Sequence, residues 1–252
     1  MNKTISLSPH KMNDNCRVYA IGDIHGYIEP LKQMHDLIMA DIERHPCDDV
    51  TILHLGDYIN RGPDSAGTLE FLSTLSHESG LQYAHVMGNH ENGIIEFVDD
   101  PDGKNREWPY WPDEAFLKSY GINPENRNAQ DLAALINETV PDHHWDFIRT
   151  LPYYIINGDF LFIHNGPRPG VKLEAQKKED LIYNREPFMS ATEPHEYYVV
   201  HGHTIMRNFE VEILPNRMNL ETGIYNGGPL TCGVFEQSDV RFIQIAAVLD
   251  KT

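Results

Sequence analysis

The sequence is poor in cysteine and in basic residues. Its three cysteines, Cys16, Cys47 and Cys232, lie far apart and form no CxxC pair, which argues against a disulfide framework and is typical of a reducing compartment. We therefore predict a cytoplasmic location. Lys and Arg number 20 against 38 Asp and Glu, so the net charge is −18. Such an acidic surface repels the nucleic-acid backbone, and we expect no nucleic-acid partner.

Long apolar runs are also missing. The chain nowhere approaches the roughly 18 uninterrupted apolar residues of a membrane-spanning helix, and its first residues hold no apolar run of signal-peptide length. We expect neither export nor a membrane partner. With 252 residues, of which 40% are hydrophobic, the chain can bury a sizeable core. We predict a single domain over residues 1–252 and leave the oligomeric state open.

Three strand, loop and helix units follow one another in the first part of the chain. Each β-prone run ends near a glycine and is followed by apolar residues at helical spacing. Successive units of this kind predict a sheet with parallel neighbours and helices on its outer face. The predicted strands cover residues 17–21, 50–55 and 82–87, and the predicted helices cover residues 29–43, 65–76 and a stretch from residue 91.

The chain after Pro152 is rich in β-prone runs. Asn157, Gly158 and Asp159 separate two of these runs as a hairpin turn would. An α/β half followed by a β-rich half predicts two sheets packed face to face, with helices outside. The later strands are predicted at residues 153–157, 160–163, 197–200, 209–214, 231–235 and 241–248.

Residues 99–150 differ from both halves, because their first part is rich in Asp, Pro, Gly and Trp. We predict an irregular and helical insertion here, with helices near residues 113–120 and 130–138. A small packed subdomain is the alternative. The segment Trp108–Trp111 would form either a substrate-facing lid or a cover for a hydrophobic edge.

Potential metal ligands follow each of the three early strands. Asp23 and His25 are spaced so that an extended chain turns both to one side, whereas Asp57 and Asn89 each follow a glycine directly. Alone, each fragment could be a polar turn or a helix cap. Because ligands bind at the carboxyl ends of strands in open α/β sheets, we expect the three loops to converge. Two histidines that follow later strands would join them: His164 and His203.

The motifs occur in the order GDIHG (22–26), GDYINRG (56–62), GNHE (88–91), HNG (164–166) and GHT (202–204). In this order they resemble the signature of the PPP-type serine/threonine protein phosphatases, within the calcineurin-like metallophosphoesterases. The compact bacterial members are the most similar. The resemblance spans Asp23 to Gly223. It implies an α/β fold, a four-layer α-β-β-α sandwich with two mixed sheets and the metal site at the strand ends.

The resemblance also implies two divalent metal ions that share Asp57 and activate a bridging hydroxide as the nucleophile. Oxygen and nitrogen ligands without cysteine favour Mn, with Fe, Zn or Ni as alternatives. The implied metal ligands are Asp23, His25, Asp57, Asn89, His164 and His203.

Further roles follow from the same resemblance. His90 would donate a proton to the leaving oxygen, and Arg61 and Arg185 would grip the phosphoryl oxygens with two parallel hydrogen bonds each. Plainer alternatives remain open, since Arg185 could be a surface residue and His90 an outer hydrogen-bonding group. His201 has no role in the pattern, and we predict a structural one.

The pattern is broken at Asn60. The family motif reads GDxxDRG, and its second Asp orients the catalytic histidine. An Asn carbonyl could accept a hydrogen bond from His90, but it carries no charge to stabilise the imidazolium. We therefore expect Asn60 to orient His90, His90 to be less protonated at neutral pH, and activity to have a lower alkaline limit.

The leading hypothesis is a metallophosphatase that hydrolyses phosphomonoesters. Its substrate would be a phosphoprotein or phosphopeptide carrying phosphoserine or phosphothreonine, or a small phosphate ester, and GNHE rather than GNHD favours this. The first alternative is symmetrical hydrolysis of dinucleoside tetraphosphates, because a bacterial relative of similar design does this and tolerates loss of the second Asp. The second alternative is an inactive metal-binding module, in which Asn60 marks a degraded site.

Overall fold

The computed structural model describes residues 4–77, 80–103 and 112–246. The strands in these ranges are β1 (Ile5–Ser6), β2 (Cys16–Ile21), β3 (Asp49–His54), β4 (Leu81–His85), β5 (Tyr154–Asn157), β6 (Phe160–Ile163), β7 (Tyr198–His201), β8 (Glu212–Ile213), β9 (Arg217–Asn219), β10 (Pro229–Glu236) and β11 (Asp239–Ala246). The α-helices are α1 (Ile28–Arg44), α2 (Ser65–Ser73), α3 (Asn89–Asp99), α4 (Glu114–Ser119), α5 (Ala129–Thr139), α6 (Asp142–Arg149) and α7 (Lys178–Ile182).

The strands form two mixed sheets, as predicted. The first has the order β1-β11-β10-β2-β3-β4 and the second the order β5-β6-β7-β9-β8. Strands β2, β3 and β4 are parallel, as the three early units predict, and β10 and β11 add antiparallel neighbours. In the second sheet β6, β7 and β9 are parallel, whereas β5 and β8 pair antiparallel at its edges.

Alternation along β2 shows how the sequence builds the layers. Val18 and Ala20 face the core between the sheets, whereas Tyr19 and Ile21 face the helices on the other side. This is the two-residue period of a strand that is buried on both faces. Phe162 from the second sheet belongs to the same buried cluster as Val18. On its other face the second sheet packs against residues of α7.

The middle helices pack into the core on the helix side of the first sheet. Phe116, Leu132 and Trp145, from α4, α5 and α6, belong to the same buried cluster as Leu69 of α2. The interpretation of this region as an insertion in a single domain stays a prediction, and Trp108–Trp111 lies outside the described residues. None of the described helices is both long and apolar enough to cross a bilayer.

One predicted strand is much shorter in the structure. Residues 209–214 were expected to be extended, but only Glu212–Ile213 pairs with β9. Phe209 has a φ of +56°, which an extended strand does not allow. The sequence pattern also misses Arg217–Asn219, because a strand that begins with Arg lacks an apolar run. The Arg217 guanidinium donates to the carbonyl of Ala191 at 2.8 Å, so this contact is a tertiary one.

Candidate metal centre

The loops at one end of the two sheets carry every residue predicted to bind metal. Asp23 and His25 follow β2, and Asp57 follows β3. Asn89 is the first residue of α3, just beyond β4. The second sheet contributes the residues that follow β6 and β7, which are His164 and His203.

Asp57 lies between two groups of side chains. The first includes His25 and His90, and the second consists of Asn89, His164 and His203. Its Oδ2 is 3.6 Å from Nε2 of His25 and 3.8 Å from Nε2 of His90. Its Oδ1 is 3.3 Å from Nε2 of His164. One carboxylate therefore faces both groups, as a ligand shared by two cations must.

The second group is compact. The Oδ1 of Asn89 lies 2.9 Å from Nε2 of His164 and 2.8 Å from Nδ1 of His203. The two ring nitrogens are 3.2 Å apart. A cation bound at about 2.0–2.2 Å by each ligand brings their atoms to roughly 3 Å from one another. The donor set of this group therefore fits a divalent metal ion.

Backbone carbonyls fix the orientation of two of these rings. Nδ1 of His25 lies 3.0 Å from the carbonyl oxygen of Ile59, and Nδ1 of His164 lies 2.8 Å from that of Leu55. A carbonyl oxygen can only accept, so Nδ1 carries the proton in both rings. The lone pair of each Nε2 then points into the centre, as metal-binding histidines require.

Asp23 is held beside His203 by the backbone. The His203 N–H donates to the Asp23 carboxylate at 3.1 Å, and Oδ2 of Asp23 is 4.0 Å from Nε2 of His25. Gly202 permits this approach, since a Cβ there would lie 2.1 Å from Oδ1 of Asp23. Burial, followed by the nearby Glu221, raises the pKa of Asp23. A cation beside Asp23 would keep it ionised.

Backbone strain is concentrated around the centre. His25, Asp57 and His203 have φ angles of +48°, +50° and +65°, and Asn60 and Arg61 have +72° and +67°. Residues with a Cβ seldom adopt this left-handed region. Such strain persists where the surrounding structure imposes it, which is common at functional sites.

The charge states of the buried side chains suit cation binding. Burial lowers the pKa of His25 to about 3 and that of His203 well below its usual range, so both rings are neutral ligands. Burial would raise the pKa of Asp57, but His164 and His90 outweigh it and keep the carboxylate ionised. Burial likewise disfavours charge on His164, yet Asp57 raises its pKa to about 9. A metal ion would take the place of that proton.

Glu91 is a positioning residue to which sequence analysis assigned no role. Its fully buried carboxylate accepts the N–H groups of Asp57 at 3.0 Å, Tyr58 at 2.8 Å, Ile59 at 3.2 Å and Gly88 at 3.2 Å. These contacts hold the loop that presents Asp57. The signal in the sequence was the Glu at the third position of α3, where a carboxylate caps a helix.

Asn60 contacts His90, but not through the atom expected. The amide Nδ2 lies 2.6 Å from Nδ1 of the ring, whereas the carbonyl oxygen was expected at this place. Asn can do this because its side chain carries a donor as well as an acceptor. When Nδ2–H donates to Nδ1, the single proton of the neutral ring lies on Nε2. Burial lowers the pKa of His90, which favours that neutral ring.

The two arginines predicted to bind phosphate, Arg61 and Arg185, are exposed. The guanidinium carbon of Arg61 lies 4.3 Å from the ring centre of Tyr225, a stacked arrangement that fixes its direction. Burial is the largest cause of the low pKa values of His90 and His203. The positive charge of Arg61 lowers the pKa of His90 further, and that of Arg185 lowers the pKa of His203 further. Both cations therefore act on the centre.

His201 lies outside both groups. It is fully buried, its Nδ1 is 3.0 Å from the carbonyl oxygen of Gly202, and its ring centre is 4.9 Å from that of Phe188. These contacts fit the structural role predicted for it.

Comparison with known proteins places this arrangement in a family. The sequence profile of the calcineurin-like phosphoesterases matches residues 16–243, which include all the residues described above. A protein of Nitrosospira multiformis named symmetrical bis(5'-nucleosyl)-tetraphosphatase is 24% identical over 181 residues, which are 71% of this chain and 54% of that protein. A protein of the same name from Ectopseudomonas mendocina is 39% identical over 78 residues, which are 31% of this chain and 25% of that protein.

The chain therefore spans about half or less of the length of these curated relatives. A solved structure of a proposed diadenosine tetraphosphatase superposes with a TM-score of 0.63 and 21% identity, and the match covers 94% of this chain and 96% of that one. At this identity the likeness concerns the fold, which is the α/β fold with two mixed sheets predicted above. The chain belongs to the calcineurin-like phosphoesterase family.

Proposed function

We propose that this chain hydrolyses dinucleoside tetraphosphates symmetrically at a two-metal centre. Water adds to one of the two central phosphorus atoms, the central P–O–P bond breaks, and two nucleoside diphosphates leave. Mn²⁺ fits the oxygen and nitrogen donors of the proposed ligands. These ligands are Asp23, His25, Asp57, Asn89, His164 and His203. Bound there, two divalent ions would supply an activated water and neutralise charge on the phosphate.

The contact between Asn60 and His90 is the observation that favours a dinucleoside tetraphosphate over a serine or threonine phosphate as the substrate. With Nδ2–H of Asn60 donating to Nδ1, the neutral ring of His90 presents Nε2–H to the centre. A neutral imidazole donates a hydrogen bond readily but gives up a proton reluctantly. A nucleoside diphosphate is a weak base and leaves with such a hydrogen bond alone. The alkoxide of a serine or threonine phosphate needs full proton transfer.

Two further observations support this proposal. The two curated relatives described above are named for dinucleoside tetraphosphate hydrolysis. Arg61 and Arg185 also suit a substrate with several phosphate groups, because each guanidinium can bind two oxygens side by side. The cations of the centre would attract such a polyanion despite the net charge of −18.

A second candidate is a serine/threonine protein phosphatase. The observation that favours it is Glu91, the last residue of the GNHE motif. Its carboxylate reaches four backbone N–H groups. A Glu rather than an Asp at this place is typical of the protein phosphatases that the sequence resembles.

Parallel assays with Mn²⁺ separate the two candidates. Diadenosine tetraphosphate and a phosphoserine peptide are offered at equal concentrations, and the products are resolved by chromatography. We expect two ADP as the products of the tetraphosphate and a kcat/KM at least about tenfold higher than for the peptide. An Asp57→Asn variant should lose both activities.

Faster hydrolysis of the peptide would support the second candidate, and AMP plus ATP as products would contradict symmetrical cleavage. Metal uptake without any turnover would point to an inactive binding module.

A further inference from the structure

Three potential metal ligands meet on the helix side of the first sheet, on elements that carry none of the ligands described above. Glu70 lies on α2, and His143 and His144 lie in the first turn of α6. Nε2 of His143 is 2.8 Å from Oε2 of Glu70, and Nε2 of His144 is 3.1 Å from the same oxygen. Each residue offers one ligand atom, and all three atoms lie within 4.8 Å of one another.

The convergence of two adjacent histidines is unusual. Neighbouring residues on a helix point in different directions and do not normally reach the same point. Here the ring centres of His143 and His144 are 4.4 Å apart with an angle of 67° between the planes, and both Nε2 atoms face one oxygen. Each imidazole nitrogen lies about 3 Å from the carboxylate oxygen. Two imidazole nitrogens and one carboxylate oxygen form a donor set that zinc binds in catalytic sites.

A second observation comes from the far side of His144. Its side chain is only 3% exposed, and its Nδ1 lies 2.8 Å from the hydroxyl oxygen of Tyr120. Metal-binding histidines normally donate their other ring N–H to an outer partner. A tyrosine hydroxyl can accept from Nδ1–H, which leaves the Nε2 lone pair facing Glu70 and His143.

From this geometry we propose that Glu70, His143 and His144 form an additional cation site, separate from the phosphoesterase centre, that binds Zn²⁺. Glu70 and His143 have side chains that are 57% and 50% exposed, so a cation can enter and water can complete its coordination. Tyr120 is a positioning residue that sets the tautomer of His144. Because the ligands come from α2 and α6, bound Zn²⁺ would hold these helices together and stabilise the fold.

The same three side chains could instead form only an ion pair, with a proton shared between Glu70 and the two rings. An ion pair does not need Zn²⁺ and does not bind it selectively. Counting bound Zn²⁺ therefore distinguishes the two arrangements.

The test is equilibrium dialysis of the full chain against buffered Zn²⁺, followed by elemental analysis. We expect the unsubstituted protein to hold one more Zn²⁺ per chain than His143→Asn or Glu70→Gln. The matched control His45→Asn, at an exposed histidine elsewhere, should bind as the unsubstituted protein does. Tyr120→Phe should weaken Zn²⁺ binding at this site about 10- to 100-fold, which nonspecific surface uptake would not show.

Thermal melting provides a second readout. All four variants should fold without added Zn²⁺, and Zn²⁺ should raise the melting temperature of the unsubstituted protein by more than that of His143→Asn. The proposal is overturned if His143→Asn and Glu70→Gln bind as much Zn²⁺ as the unsubstituted protein. It is equally overturned if His45→Asn loses the same ion.

Discussion

Glu91 accepts the backbone N–H of Asp57 at 3.0 Å, so a residue outside the proposed ligand set fixes the carboxylate that both groups of the centre share. The same carboxylate holds the two residues that follow Asp57. Metal binding at Asp57 and the stability of its loop are therefore coupled.

Glu91→Gln should both destabilise the protein and weaken metal binding. An amide has one acceptor oxygen instead of two, so at least one of the four N–H groups would lose its partner. We expect a loss of about 1–3 kcal/mol in the free energy of unfolding, measured with urea, and weaker Mn²⁺ binding, measured by calorimetry. The exposed Glu138→Gln is the control and should change neither quantity. Unchanged Mn²⁺ affinity in Glu91→Gln would show that the loop does not depend on Glu91.

Asn60→Asp should shift the balance between substrates. A carboxylate would accept Nδ1–H of His90 and stabilise the charged ring, which then transfers a proton to a poor leaving group. We expect kcat for the phosphoserine peptide to rise at least about tenfold and kcat for diadenosine tetraphosphate to change far less. Asn60→Ala, which removes the contact without adding charge, should show no such gain. Equal changes for both substrates in Asn60→Asp would refute the proposed role of this contact.

Gly202→Ala should disrupt the position of Asp23. The new Cβ would lie 2.1 Å from Oδ1 of Asp23, which forces the carboxylate away from His25. We expect the variant to lose one tightly bound metal ion, measured by elemental analysis, and most of its activity, measured by kinetics. Gly121→Ala is the control, because a Cβ there meets nothing within 4 Å although its φ is +69°. That variant should lose some stability and keep its activity; the idea fails if Gly202→Ala retains both metal ions.

Three stacked histidines, from α1, β3 and β4, should make the fold sensitive to acid. Nε2 of His35 lies 3.0 Å from Nε2 of His54, and the ring centre of His85 is 4.8 Å from that of His54. Burial lowers the pKa of His35 to about 4 and that of His85 to about 3. These rings stay neutral in the native state but take up protons in the unfolded state below its pKa of about 6.5.

Because the unfolded state binds more protons, the contribution of these histidines to the free energy of unfolding is complete above pH 6.5 and decreases as the pH drops towards 4. Each such histidine contributes a slope of up to about 1.4 kcal/mol per pH unit in this range. His85→Gln should reduce the slope, measured by urea unfolding at several pH values, whereas the exposed His45→Asn should reduce it little. If the free energy of unfolding of His85→Gln depends on pH as steeply as that of the unsubstituted protein, the acid sensitivity comes from other groups.

How far the sequence predicts this molecule depends on the feature. The period of β2, with Val18 and Ala20 on one face and Tyr19 and Ile21 on the other, is local and determines its layer. The convergence of the strand-end loops follows from the parallel order of β2, β3 and β4. Short elements such as Arg217–Asn219 could not be predicted, because their stability comes from contacts with residues distant in the chain.

The same division holds within the candidate centre. Asp23, His25 and Asp57 could be singled out because each follows a strand and its glycine. The four N–H contacts of Glu91 and the orientation of the Asn60 amide could not, because they depend on the path of the backbone. The loop geometry also requires a positive φ at Asp57, which the sequence alone does not specify.

The central claim is that two metal ions lie on either side of Asp57. Anomalous diffraction from crystals of the full chain grown with Mn²⁺ tests it most directly. We predict two anomalous peaks that share the Asp57 carboxylate, one also bounded by Asp23 and His25 and the other by Asn89, His164 and His203. A single peak, or peaks away from Asp57, would contradict the account.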